Sequence, residues 1–155
     1  MQPEYRIEKH SVPVAVVTLS GERVEGEVFL QPYSQNRQGP EEVSDLLNAS
    51  EPFFPVRCRD GAIRILAKAR IVEAQLLEPP SEDDARPLGA REAMVELVLA
   101  NGQRYAACLF YQVPTARPRL LDYLNRLTQR FVLVHAEERW ILVNWRLLDS
   151  IRPLD

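Results

Sequence analysis

Residues 14–31, VAVVTLSGERVEGEVFLQ, are two β-branched, apolar-rich runs set around Ser20-Gly21. Residues 94–112, MVELVLANGQRYAACLFYQ, repeat that layout around Asn101-Gly102. Apolar runs broken by Ser-Gly or Asn-Gly predict β-hairpins, because the tight turn needs positive φ and glycine adopts it without a Cβ clash. The spacing then changes. Val43, Leu46 and Leu47 share one helical face, as do Leu120, Leu121, Leu124 and Leu127. Pro40 and Pro118 suit the first turns of these helices, and Glu41 and Glu42 lie near the positive end of the first. Three more apolar runs follow each helix: FFPVRCR, AIRILAK and IVEAQLL, then FVLVHAE, RWILVNW and LLDSIRP. Each half therefore reads strand–strand–helix–strand–strand–strand.

The halves also match residue by residue. Gly21, Phe29 and Gln31 fall on Gly102, Phe110 and Gln112 at an offset of 81. Asp45, Leu47, Asn48 and Phe54 fall on Asp122, Leu124, Asn125 and Phe131 at an offset of 77. Ile65, Leu66 and Arg70 fall on Ile141, Leu142 and Arg146 at 76. The offset changes only in expected loops, which implies a duplication. The first repeat is read as residues 1–76 with an N-terminal lead. A linker rich in proline and acid spans 77–92, and the second repeat spans 93–155. Five short strands per repeat predict a small curled barrel, since closure hides strand edges. One repeat of about 60–65 residues buries a marginal core alone. The expectation is a mostly β protein: two tandem five-stranded barrels, each with a short helix after its second strand, related by a pseudo-twofold axis.

The strings VVTLSGERVEGEVFL and ILVNWRLLDSIRP resemble small SH3-like barrels of the Sm-like kind, whose first bent hairpin carries two spaced glycines. Gly21 and Gly26 match that pattern, and Gly102 matches in the second half, where Ala107 replaces the second glycine. In the Sm family an Asp and an Asn near the second-to-third strand connection help bind RNA. Asp45/Asn48 and Asp122/Asn125 lie instead in an expected helix, and the Arg-Gly pair of the second Sm motif is absent. The resemblance thus implies fold more than function. The chain also resembles uncharacterised bacterial proteins built from this hairpin–helix–barrel unit.

Composition narrows the functional classes. The 155 residues are 46% hydrophobic and 26% charged, a globular balance. A net charge of −3 and a pI near 5.5 argue against a generally basic nucleic-acid binder. The opening MQPEYRIEKH lacks the apolar stretch of a signal peptide, and no apolar run approaches the roughly 20 residues that span a bilayer. The expectation is a soluble, cytoplasmic protein. Cys58 and Cys108 sit in apolar runs without CxxC spacing and read as ordinary strand residues.

Little in the chain points to chemistry. Asp-x-Leu-Asn occurs at 45–48 and 122–125. Each Asp and Asn share a helical face and could hold a ligand, but no histidine or second carboxylate stands near to complete a metal shell. The structural reading has each asparagine end its helix in the left-handed conformation. His10 and His135 fit no triad spacing, the six glycines form no phosphate loop, and EDD at 82–84 is a solvated linker run. No catalytic residue, cofactor or metal is assigned.

Two clusters remain. Arg117, Arg119, Arg126 and Arg130 flank the second helix, and Arg57, Arg59, Arg64 and Arg70 surround the later strands of the first repeat. They could form a stripe for phosphates, with Tyr105, Phe110, Tyr111 and Tyr123 to stack bases; alternation along strands would instead put arginines in solvent and aromatics in the core. Tyr111, Trp140 and Trp145 make the second repeat the more aromatic. Trp140 reads as core, while Tyr111, Tyr123 and Trp145 could mark a surface for a protein partner or self-association. The reading favoured is a non-catalytic binding or assembly module, such as an accessory subunit, that docks through a strand edge or this aromatic surface. An Sm-like RNA-binding regulator is the first alternative, and a ligand sensor or enzyme in the groove between repeats is the second.

Overall fold

The computed structural model describes residues 10–34, 39–112 and 119–154. Its strands are β1 (His10–Thr18), β2 (Arg23–Leu30), β3 (Phe53–Cys58), β4 (Ile63–Ala67), β5 (Ile71–Leu76), β6 (Arg91–Leu99), β7 (Arg104–Tyr111), β8 (Phe131–Ala136), β9 (Arg139–Asn144) and β10 (Leu148–Pro153). Three short helices, α1 (Val43–Asn48), α2 (Glu82–Ala85) and α3 (Leu120–Arg126), complete the described chain, with 3-10 turns at Lys68–Arg70 and Trp145–Leu147.

Both expected hairpins form around their glycines. The Gly21 N–H donates to Thr18 O and the Gly102 N–H to Leu99 O, both at 2.9 Å. Gly21 (φ 94°) and Gly102 (φ 92°) adopt the left-handed region, while Asn101 does not. The connections are therefore three-residue loops that end in a glycine bulge, not two-residue turns with both residues at positive φ. Gly26 has a different cause. A Cβ there would come within 2.3 Å of the Arg57 carbonyl oxygen, so β2 and β3 cross at a distance only glycine allows.

The strands join in one antiparallel sheet of order β10-β6-β7-β8-β9-β5-β1-β2-β3-β4. The sheet does not close, and β4 and β10 are its edges. This differs from the expected pair of separately closed barrels, because β5 of the first half pairs directly with β9 of the second. Within each half the order is the same: fifth, first, second, third, fourth. Irregular backbone bonds recur as well. Leu19 N–H donates to Arg70 O and Ala100 N–H to Leu147 O; Lys68 N–H donates to Pro52 O and Trp145 N–H to Arg130 O; Leu77 N–H donates to Pro13 O and Leu154 N–H to Met94 O.

These ladders also correct the residue matching. Glu27 lies opposite Arg57, and Cys108, its counterpart at offset 81, lies opposite His135. The third strands thus correspond at offset 78, which puts Phe131 on Phe53 and not on Phe54. Phe53 faces Ala67 as Phe131 faces Asn144, so the fourth strands correspond at 77: Leu142 answers Ile65, Trp140 answers Ile63, and Trp145 answers Lys68. A slip of one residue moves a strand side chain to the other face. The two phenylalanines that match by sequence therefore play different parts, although both end in the same core.

That core contains Val14, Val28, Leu47, Phe54 and Ile71 of the first half together with Phe131 and Leu142 of the second. A second core gathers Val95, Leu97, Leu109, Val134 and Val143, and takes Val17 and Val72 from the first half. β5 and β9 are accordingly buried on both faces. The segment between the halves is not bare linker. β6 begins at Arg91, and α2 has Ser81 as its N-cap and is tied to α1 by Ser44 Oγ donating to Asp84 Oδ2 at 3.0 Å.

Candidate interaction surfaces

α1 begins after Glu42, whose N–H donates to Asp45 Oδ2 at 2.8 Å, so Asp45 serves the first turn of its helix. Lys68, almost wholly buried, donates through Nζ to Leu46 O (2.7 Å) and Ala49 O (3.0 Å) at the other end. A cation is favoured against those last carbonyls, while burial pushes the Lys68 pKa down. Asn48 does not cap the helix, because the residue after it, Ala49, is extended and no described asparagine has positive φ. Instead its amide crosses to the other half: Nδ2 donates to Phe131 O at 3.0 Å and Oδ1 accepts from Phe131 N at 2.8 Å. Phe131 offers both groups because it stands opposite Asn144 at a ladder position where strand partners exchange no bonds.

Other cross-half contacts complete the junction. Asn144, also buried, donates to Ile71 O at 2.8 Å. Glu73 on β5 is 1% exposed, and its carboxylate accepts from the Tyr105 hydroxyl of β7 (3.1 Å) and from Gln75 Nε2 (2.8 Å). Burial, and then the Glu73 charge beside it, push the Tyr105 pKa far up. A groove of about 390 Å³ runs along the junction, lined among others by Asp45, Asn48, Asp84, Phe110, Tyr123 and Gln129.

The outer edge of the sheet contrasts with this junction. On β3 and β4, Phe53 is 57% exposed, Ile63 54% and Ile65 71%. The counterparts of Phe53 and Ile65 on β8 and β9 lie against the other half, with Phe131 at 1% and Leu142 at 0%. The same face that one half buries, the other presents to solvent. α3 mirrors α1 less completely. Asp122 accepts from Arg119 Nε at 3.2 Å, while Asn125 is exposed and makes no hydrogen bond among the described residues.

The residues singled out from sequence are spread over the molecule. Tyr111 is buried in the second core, and Tyr123 packs on it with ring centroids 5.3 Å apart. Burial raises the Tyr123 pKa. Trp145 lies half-buried on a 3-10 turn, its N–H bonded to Arg130 O. Trp140, expected in the core, is instead half-buried against His135 (4.5 Å) and Phe110 (6.3 Å). Arg119 and Arg126 are exposed on α3, Arg130 is half-buried, and Arg117 lies outside the described residues. Four first-half arginines are paired with acids, while Arg70 is exposed and makes no ion pair among the described residues. Arg57 meets Glu27 at 2.9 Å, Arg64 meets Glu22 at 2.7 Å, and Arg23 and Arg59 both meet Glu25. Among the described residues no group of three or more His, Cys, Asp or Glu could hold a metal ion. No described helix is long and apolar enough to cross a membrane.

The Phe53–Ile63–Ile65 face was not found from sequence. Its signal is a strand, IRILA, with large apolar residues on both faces, which is the pattern of a strand covered on two sides. Compared with protein-family models, with curated proteins and with solved structures, the chain matches none of them.

Proposed function

We propose that the chain is a tandem of two like SH3-like units and that it works as a non-catalytic assembly module, binding protein through an open sheet edge. The recurrence of strand order and of irregular backbone bonds in both halves supports the tandem. The observation that carries the binding role is the β3–β4 edge face, where Phe53, Ile63 and Ile65 are each more than half exposed beside an unpaired strand. Exposed apolar residues next to unsatisfied backbone donors and acceptors are the two ingredients of docking by strand addition. Arg57 and Arg64 each pair with a glutamate and Arg23 and Arg59 share Glu25, so three of these four charges are offset locally, which weighs against this cluster as an RNA-binding face.

The test is capture with tagged protein, with and without nuclease, in parallel with the Ile65→Asp variant. A stoichiometric protein partner that survives nuclease and is lost with Ile65→Asp supports this role. Recovered RNA, or partners lost on nuclease treatment, would turn the assignment to nucleic acid. The site to change would then be Arg119 and Arg126.

A further inference from the structure

Resting on that assembly reading, we infer that the partner of the β3–β4 edge is a second copy of this chain. It docks head to tail, with β4 of one chain beside β10 of the next. The chain already contains this interface once. At the internal junction β9, the fourth strand of its half, pairs with β5, the fifth strand of the other, through Ala74 opposite Leu142 and Leu76 opposite Trp140. The two strands left unpaired at the ends of the sheet are again a fourth and a fifth, β4 and β10. Carrying the internal register across places Ile151 opposite Ile65 and Pro153 opposite Ile63.

Three observations make the outer pair complementary. First, the backbone groups point the right way. Lys68 N–H donates to Pro52 O, so Ile63 and Ile65 direct their N–H and C=O groups to the free edge. Leu154 N–H donates to Met94 O, so Ile151 and Pro153 do likewise. Three of the four ladder bonds made by the corresponding junction residues are then available, and Pro153, lacking an N–H, forfeits the fourth. Second, the apolar face is equivalent. Phe53 and Ile65 stand where Phe131 and Leu142 bury themselves against α1 and β5, and the receiving positions on α3 and β10 hold Tyr123, Leu124 and Ile151. Third, Asn125 occupies on α3 the place of Asn48 on α1, exposed and ready to clasp the Phe53 backbone as Asn48 clasps that of Phe131. Arg152 would face Arg64 across the pair; Arg64 pairs with Glu22 in its own half, and Arg152 shares Glu96 with Arg104.

A head-to-tail contact leaves one edge free at each end, so growth continues until a ring closes or a filament forms. Sedimentation of the purified chain over a wide concentration range should show species larger than a dimer. Ile65→Asp removes one edge and Asn125→Arg obstructs the other. Both positions are exposed, so both variants should fold, as checked by circular dichroism, and each alone should be monomeric. Mixed, they should form a one-to-one dimer and stop, because each retains the edge the other lacks. Asn125→Ala should weaken assembly by about tenfold or more, since two hydrogen bonds are lost. A wild-type monomer at every concentration, or a mixture that stays monomeric, overturns the inference. An Asn125→Arg chain that still dimerises also overturns it and points to a symmetric contact of β4 with β4. A monomeric wild type that nonetheless holds a different protein partner through Ile65 would sink self-assembly and leave the proposed function intact.

Discussion

Asn48 holds both backbone polar groups of Phe131 through one side chain, across 83 residues of sequence. The bond pair joins a helix of the first half to a strand of the second. Replacing Asn48 with alanine leaves a buried donor and acceptor unmet, at a cost of about 2–3 kcal/mol. Asn125→Ala, the same change in the matching motif, removes no bond among the described residues and should fall within about 0.5 kcal/mol of wild type under conditions where the chain is monomeric. Urea unfolding of the two variants measures the difference. Equal losses would mean that the motif acts within each helix and not between halves.

Tyr105→Phe removes one of the two hydrogen bonds reaching the buried Glu73 carboxylate. A bond to a charged group contributes about 1.5–3 kcal/mol, so the variant should unfold earlier in urea by that amount. Restoring the donor is not enough if geometry shifts, and Tyr105→His should recover little. Alkaline titration of the tyrosine absorbance should show one group silent until the fold is lost, since burial and Glu73 hold the Tyr105 proton.

Gly26→Ala sets a methyl group against the Arg57 carbonyl, a backbone atom that cannot swing aside. A loss of about 1–3 kcal/mol is expected, as for other overpacked sites. The reverse change at the corresponding Ala107 opens no such conflict, and Ala107→Gly should cost less, about 0.5–1 kcal/mol. Thermal unfolding of both reports whether the two halves share the same crossing distance at this point.

Glu22, Glu25 and Glu27 each have a carboxyl pKa held below the ordinary 4.5, first through hydrogen bonds from Arg64, Arg23 and Arg57 respectively. A carboxylate with a depressed folded pKa stabilises the fold above its unfolded value and loses that contribution as pH falls through the folded one. Stability should therefore decline from about pH 4.5 downward. The slope should flatten in high salt because these pairs are at the surface. The triple change of these glutamates to glutamine should remove most of the salt sensitivity; an unchanged acid limb would assign it to other carboxylates.

Local chemistry made the hairpins and helices readable: Gly21 and Gly102 mark turns by a backbone need that no distant residue can alter. Helical spacing marked Leu47 and Leu124 for the same reason. The joining of β5 to β9 was not readable, since strand pairing between halves depends on shape complementarity that neither run of residues states. The matching of Phe54 to Phe131 misled because identical residues were aligned without the pleat, which assigns faces by parity. Asn48 could be seen as special from its recurrence, but its partner is a backbone, and a backbone leaves no mark in sequence. Ile63 and Ile65 were visible as apolar residues; only the structure shows that both are more than half exposed.

β5 belongs to two cores at once, with Ile71 facing the first and Val72 the second. During synthesis this strand leaves the ribosome well before β9 exists, and until then one flank of it meets only water. The amino-terminal half should therefore be protease-sensitive as a nascent chain and become resistant in a single late step, when the carboxyl-terminal half arrives to cover it.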